Sequence, residues 1–174
     1  LSRGLGDVYK RQILNHCDEA GVTAMYLSAG MDEGDIIEIR KSAIQPLETS
    51  EELMARLAQL AAPLCADTVR SIEAGTAPRI PQDNSRATYA PMLSKEESPI
   101  DWNQPARFIV DHVRGLVPWP VATAELGGTE FKIYRVEYAD QKTEKAPGSL
   151  VALTKKGLLV ACQDLSLIHI SEPT

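Results

Sequence analysis

Two carboxylates three positions apart, Asp32 and Asp35, lie in the glycine-rich stretch SAGMDEGD, residues 28–35. Taken alone they are ordinary turn carboxylates, since Asp and Gly together favour tight reversals of the chain. A calcium loop needs more oxygen ligands at regular spacing than Met31–Asp35 offers, so no metal is expected. The cysteines, Cys17, Cys65 and Cys162, lie far apart without a CxxC pair, which argues against both a disulfide framework and a zinc site. His112 falls on the apolar side of a short helical pattern, as a packed histidine does, and Trp119 between two prolines reads as a packing residue in a rigid turn.

The remaining groups with chemical potential are bases. Arg114, Lys132, Arg135, Lys142, Lys155 and Lys156 supply most of the positive charge of the C-terminal part, and some of them could meet phosphates. They are balanced, however: residues 98–164 carry eight bases and eight acids, and residues 13–97 carry seven bases against fourteen acids. With a net charge of −6 the chain is no generic nucleic-acid binder, so any RNA contact must be local.

These groups have to be positioned by recognisable elements. Gly21–Leu27 is β-branched and apolar, and the turn-rich loop then leads into Ile36-Ile37-Glu38-Ile39, which predicts strand, loop, strand. Thr49-Ser50-Glu51-Glu52 fits a capping box, and the apolar residues from Leu53 to Ile72 recur at three- and four-residue steps up to a stop at Gly75. Pro63 should kink or split that helix. Residues 77–97 have several prolines and no periodicity, so an extended linker and a domain boundary are expected. A short helix begins at Asn103 with Pro105 in its first turn, and the period then changes to two. Strands are predicted over Ala122–Leu126, Glu130–Tyr138, Ser149–Leu153 and Leu158–Cys162, a set of hairpins suited to a small β-barrel or sandwich. The fold class is therefore α/β followed by all-β.

With 44% hydrophobic and 24% charged residues the composition is that of an ordinary globular protein. No apolar run approaches the roughly 18 residues of a membrane span, and the first dozen residues lack the apolar centre of a signal peptide, so a cytoplasmic location is expected. Residues 2–12 and 165–174 can be back-translated into strings that are reverse complements over nearly their whole length. Those strings resemble a transposase-type sequencing adapter read on its two strands. Residues 1–12 and 165–174 are accordingly expected to be foreign and to take no part in the fold, leaving Ile13–Asp164 as the natural insert.

Four motifs in order carry a family resemblance: GVTAMYLSAGMDEGDII (21–37), TYAPMLSKEESPIDW (88–102), VRGLVPWP (113–120) and APGSLVAL (146–153). Together they resemble the methionyl-tRNA formyltransferases across essentially the whole insert. The resemblance implies that residues 13–76 are the C-terminal part of a Rossmann-like catalytic domain, 77–97 an interdomain linker, and 98–164 part of an OB-type barrel that holds tRNA. It implies 10-formyltetrahydrofolate as formyl donor and methionyl-initiator tRNA as acceptor, acted on by a monomer. Such chemistry must stabilise a tetrahedral oxyanion and remove a proton from the attacking amine, and the family uses an Asn, a His and an Asp for it.

The Asp maps to Asp32, which the resemblance assigns to orienting that His. Asn and His have no matching position in these residues, so the polypeptide as written is expected to be inactive. Ser28, Ala29, Gly30 and Met31 match the loop that cradles the pterin, largely through its backbone, with Gly30 allowing close approach. Lys95 resembles a linker lysine near the acceptor end of the tRNA, and Arg114, Lys132, Arg135, Lys155 and Lys156 are the further tRNA candidates. Two alternatives stand beside this reading: the formyltransferase module of another folate-dependent enzyme, against which TYAPMLSKEESPIDW argues, and a non-catalytic OB-type RNA-binding module.

Overall fold

The computed structural model describes residues 5–139, 142–155, 157–164 and 166–170. A helix, α1 (Leu5–Leu14), precedes an antiparallel hairpin of β1 (Glu19–Met25) and β2 (Ile36–Ala43), followed by the long helix α2 (Ser50–Glu73). The predicted strand–loop–strand is thus present, with pairing from Glu19↔Ala43 to Met25↔Ile36 and a bulge at Ala24/Met25 where the loop begins. Gly21 is required by the pairing, because a Cβ there would stand 2.7 Å from the Arg40 carbonyl oxygen. Helix α2 starts as its sequence dictates. The Thr49 hydroxyl accepts from the Glu52 amide, and the Glu52 carboxylate accepts from the Thr49 amide at 2.8 Å.

Pro63 neither ends nor splits α2, which runs unbroken from Ser50 to Glu73. Pro63 and Gln59 are both exposed, so the carbonyl that the proline ring displaces can tilt towards water while Leu53, Leu57 and Leu64 stay buried on the opposite face. This face meets Ile13 and Ala20 in a small core, with Val22, Ile44 and Leu60 packed against it.

The second half is built around α3 (Ala106–Leu116). Ala106, Ile109, Val110, Val113 and Leu116 form the centre of a larger core with Leu93, Ala122, Ile133, Val136 and Cys162. Two sheets surround it. One is the hairpin β3 (Ala122–Leu126) and β4 (Thr129–Ile133); the other has β5 (Arg135–Ala139), β6 (Leu150–Thr154), β7 (Gly157–Ala161) and β8 (Ser166–Ile170) in the order β5-β8-β7-β6, all antiparallel. The single strand expected over Glu130–Tyr138 is divided at Tyr134, and its two pieces join different sheets. Among the described residues the strands do not close into a barrel.

The two ends and the segment between the halves also carry structure. Residues set aside at both ends carry secondary structure, since Leu5–Leu14 is helical and Ser166–Ile170 lies between β5 and β7. Residues 77–97 are extended apart from two 3-10 turns, Asn84–Arg86 and Lys95–Glu97, and are tied to both halves: Ile80 forms an antiparallel bridge with Ile36, its amide donating at 3.0 Å and its carbonyl accepting at 2.8 Å, and Leu93 enters the second core. The halves also meet directly. A Cβ on Gly115 of α3 would stand 2.9 Å from the Leu14 side chain, and Ser50 at the start of α2 donates to the Val117 carbonyl. Among the described residues no helix is long and apolar enough to cross a membrane.

Candidate functional site

The loop between β1 and β2 is shaped by its main chain. The Tyr26 amide donates to the Asp35 carbonyl at 2.9 Å, closing the loop at its base. Gly34 is buried at that closure, where a Cβ would lie 1.6 Å from the Tyr26 carbonyl oxygen, so no other residue fits without moving the backbone. Asp32 has φ +56°, a left-handed conformation that Asp tolerates better than most residues because its short side chain bonds locally. Ser28 Oγ donates to the Gly30 carbonyl at 3.2 Å.

The expected site residues Ser28, Ala29, Gly30, Met31 and Asp32 are therefore consecutive on one exposed tip. Their apolar neighbours are strongly exposed, Leu27 at 97% and Met31 at 86%. Around this tip the structure adds three residues that sequence reasoning did not single out. The Arg79 guanidinium pairs with Asp35 at 3.2 Å and lies 3.7 Å over the Tyr26 ring. Ile80 forms the bridge to Ile36, and Gln82 Nε2 donates to the carbonyls of Asp32 at 2.8 Å and Gly34 at 2.7 Å. No spacing rule marks such residues, because the contacts span 44 to 53 positions and the segment has no periodicity.

Neither His16 nor His112 belongs to the loop. His16 Nδ1 is 2.8 Å from Asp111 Oδ2, and its ring stacks on Phe108 at 3.8 Å. His112 points Nε2 at the Ser98 carbonyl, 3.4 Å away, and burial pushes its pKa below the ordinary value against the opposing pull of Ser98 and Glu97. A cavity of about 300 Å³ lies beside these rings, lined by Leu14, Asn15, His16, Ile100, Phe108 and His112 among others, and takes no residue from the 26–36 loop. Among the described residues no cluster of three or more His, Cys, Asp or Glu could hold a metal ion.

The basic candidates are dispersed. Lys95 is exposed in a short 3-10 turn, Lys132 on β4 and Arg135 at the start of β5 are exposed, and Lys155 is exposed in the β6–β7 turn; Lys156 lies outside the described residues. Lys142 is likewise exposed. Arg114 differs from all of them. It is only 9% exposed, donates to Asp111 at 2.7 Å and to the Gln45 and Glu48 carbonyls at 3.0 and 2.9 Å, and so is spent inside the molecule rather than displayed to a phosphate. The signal for this was present in the sequence, since Asp111 and Arg114 are three residues apart on one turn of an apolar helix.

Known proteins give the same order of parts. A family described as formyl transferase matches residues 3–69, and the formyl transferase C-terminal domain matches residues 92–172. A methionyl-tRNA formyltransferase of Moorella thermoacetica is 40% identical over 158 residues, 91% of this chain and 50% of its own length. The chain spans about half the length of the curated relatives it matches. Among solved structures, HypX from Aquifex aeolicus in complex with tetrahydrofolic acid superposes with a TM-score of 0.71 at 18% identity, over 94% of this chain and 28% of that one. The methionyl-tRNA formyltransferase from Clostridium thermocellum does so with 0.61 at 20% identity, over 77% and 57%. Matched in order by both parts of that family, the chain belongs to the formyl transferases.

Proposed function

We propose that this chain is part of an enzyme that moves a formyl group from 10-formyltetrahydrofolate to the amino group of methionine on initiator tRNA. The observation that carries the reading is the 40% identity, over nearly the whole chain, to proteins named for that reaction. The loop supports it. Residues 28–31 are exposed at the tip of a loop closed at its base by a main-chain hydrogen bond, a surface suited to the flat, donor- and acceptor-edged pterin, and the folate when bound supplies the formyl group. Asp32 is presented at the same tip, where its carboxylate orients a histidine from outside these residues and holds it in the tautomer that takes the proton from the amine. Lys95, Lys132, Arg135, Lys155 and Lys156 are the bases we assign to the tRNA backbone; Arg114 is withdrawn from that set.

On this reading residues 13–76 end a Rossmann-like domain and 98–164 begin an OB-type barrel, in a cytoplasmic protein. Residues 1–12 and 165–174 are foreign to the gene. The test is to recover longer reads of the same DNA, express the uninterrupted frame, and assay formylation of methionyl-tRNA. Activity in that protein, its loss by about 100-fold or more in Asp32→Asn, and none in the 174-residue chain support the reading. Full activity in Asp32→Asn removes Asp32 from the mechanism, and genomic reads that reproduce both ends overturn their foreign origin.

A further inference from the structure

Gln82 lies in the stretch whose composition reads as a passive tether, yet its side chain is aimed at the candidate site. The atom facing the loop has two carbonyl oxygens in range, those of Asp32 at 2.8 Å and Gly34 at 2.7 Å. Two acceptors identify it as the amide nitrogen, whose two hydrogens are then both used. Met25 Sδ, at the end of β1, stands 3.7 Å from the same nitrogen. A single side chain therefore reaches the end of β1, the left-handed residue Asp32 and the base of the loop at Gly34. Both carbonyls lie within reach of the one amide, which thereby bridges the left-handed Asp32, at φ +56°, and the sterically forced Gly34.

Arg79 and Ile80 act alongside. Arg79 ties Asp35 and covers Tyr26, and Ile80 pairs with Ile36, so residues 79–82 touch the loop at Tyr26, Asp32, Gly34, Asp35 and Ile36. We infer that Gln82 is a positioning residue: its amide sets the turn that presents the Asp32 carboxylate, which makes the segment between the two halves a working part of the site. This rests on the role proposed above for Asp32, but the hold on the loop can be measured separately.

The experiment follows amide hydrogen exchange in the isotopically labelled chain, with Tyr26 as the reporter of loop closure and Leu57 in α2 as the control for global opening. Two variants keep the size of the side chain. Gln82→Met has no donor, and Gln82→Glu puts a carboxylate against two carbonyls. At neutral pH both should speed Tyr26 exchange about tenfold relative to Leu57. As the pH falls through the carboxyl range, Gln82→Glu regains an O–H donor and should recover protection, while Gln82→Met stays open; a residue that merely filled space would show no such pH profile.

Unchanged Tyr26 exchange in both variants at neutral pH, or failure of Gln82→Glu to recover in acid relative to Gln82→Met, overturns the inference. Loop opening in the variants together with full activity of Asp32→Asn in the uninterrupted frame leaves the hold by Gln82 standing and removes its catalytic meaning, so the two failures are distinguishable.

Discussion

The two halves of the molecule hold themselves together by different means. Around α3, ten buried residues from the linker, the helix and the strands form a continuous apolar core. Around the β1–β2 hairpin the core has four among the described residues, and apolar side chains of α2 remain about half exposed, with Val69 at 51% and Ile72 at 50%. What shapes the candidate loop is instead a set of hydrogen bonds, an ion pair and a cation over a ring. Packing energy scales with area removed from water, whereas polar contacts contribute little net energy and much direction. The second half is therefore built for stability, and the first spends its interactions on the placement of a few groups.

The sharpest way to test that contrast is at the point where the halves join. Asp111 is 3% exposed and bonds both Arg114 and His16, so Asp111→Ala strands a buried guanidinium and should destabilise the chain by about 3–5 kcal/mol in urea unfolding. A smaller loss in that measurement would mean that water reaches Arg114. Next, Ile109→Ala in the α3 core should cost about 2–5 kcal/mol, while Ile72→Ser on the exposed face of α2 should stay within about 0.5 kcal/mol. Equal costs at the two sites would break the comparison.

Thr49→Ala removes the cap of α2 and should cost about 1 kcal/mol by the same assay, with Ser50 and the helix body unchanged. The smallest effect is one of pH. Because burial lowers the pKa of His112, the folded chain takes up that proton at lower pH than the unfolded chain does. Its contribution is complete above the ordinary histidine value of about 6.5 and is lost as the pH falls through the folded value. Thermal unfolding of the parent against His112→Gln should converge over that window on acidification, and parallel curves would refute the sign.

Much of this was legible in the sequence where the signal is local. The capping box of Thr49 and Glu52, the strand over Ala122–Leu126 and the loop between two apolar runs are all written within a few residues. What escaped was decided by contacts across the chain. Tyr134 ends a strand because its two sides pair with different partners, and Pro63 is tolerated because of which way it faces. Gln82 and Arg79 carry no mark of their own, since an amide in an aperiodic segment acquires meaning only from carbonyls some fifty residues away. Lys132, Arg135 and Lys155 were legible only as charge, and Lys95 through its place in the linker motif; the structure separates them from Arg114 by exposure, which composition does not encode.

β8 occupies an inner place in its sheet, paired on one side with β5 and on the other with β7. That slot asks its occupant for two rows of main-chain donors and acceptors in register, a demand that many five-residue sequences meet. Selection at such a position acts on length and alternation more than on identity. It is accordingly a natural breakpoint: a chain cut before β8 exposes two unpaired edges facing one another, and a separate peptide of suitable pattern can dock there to complete the sheet.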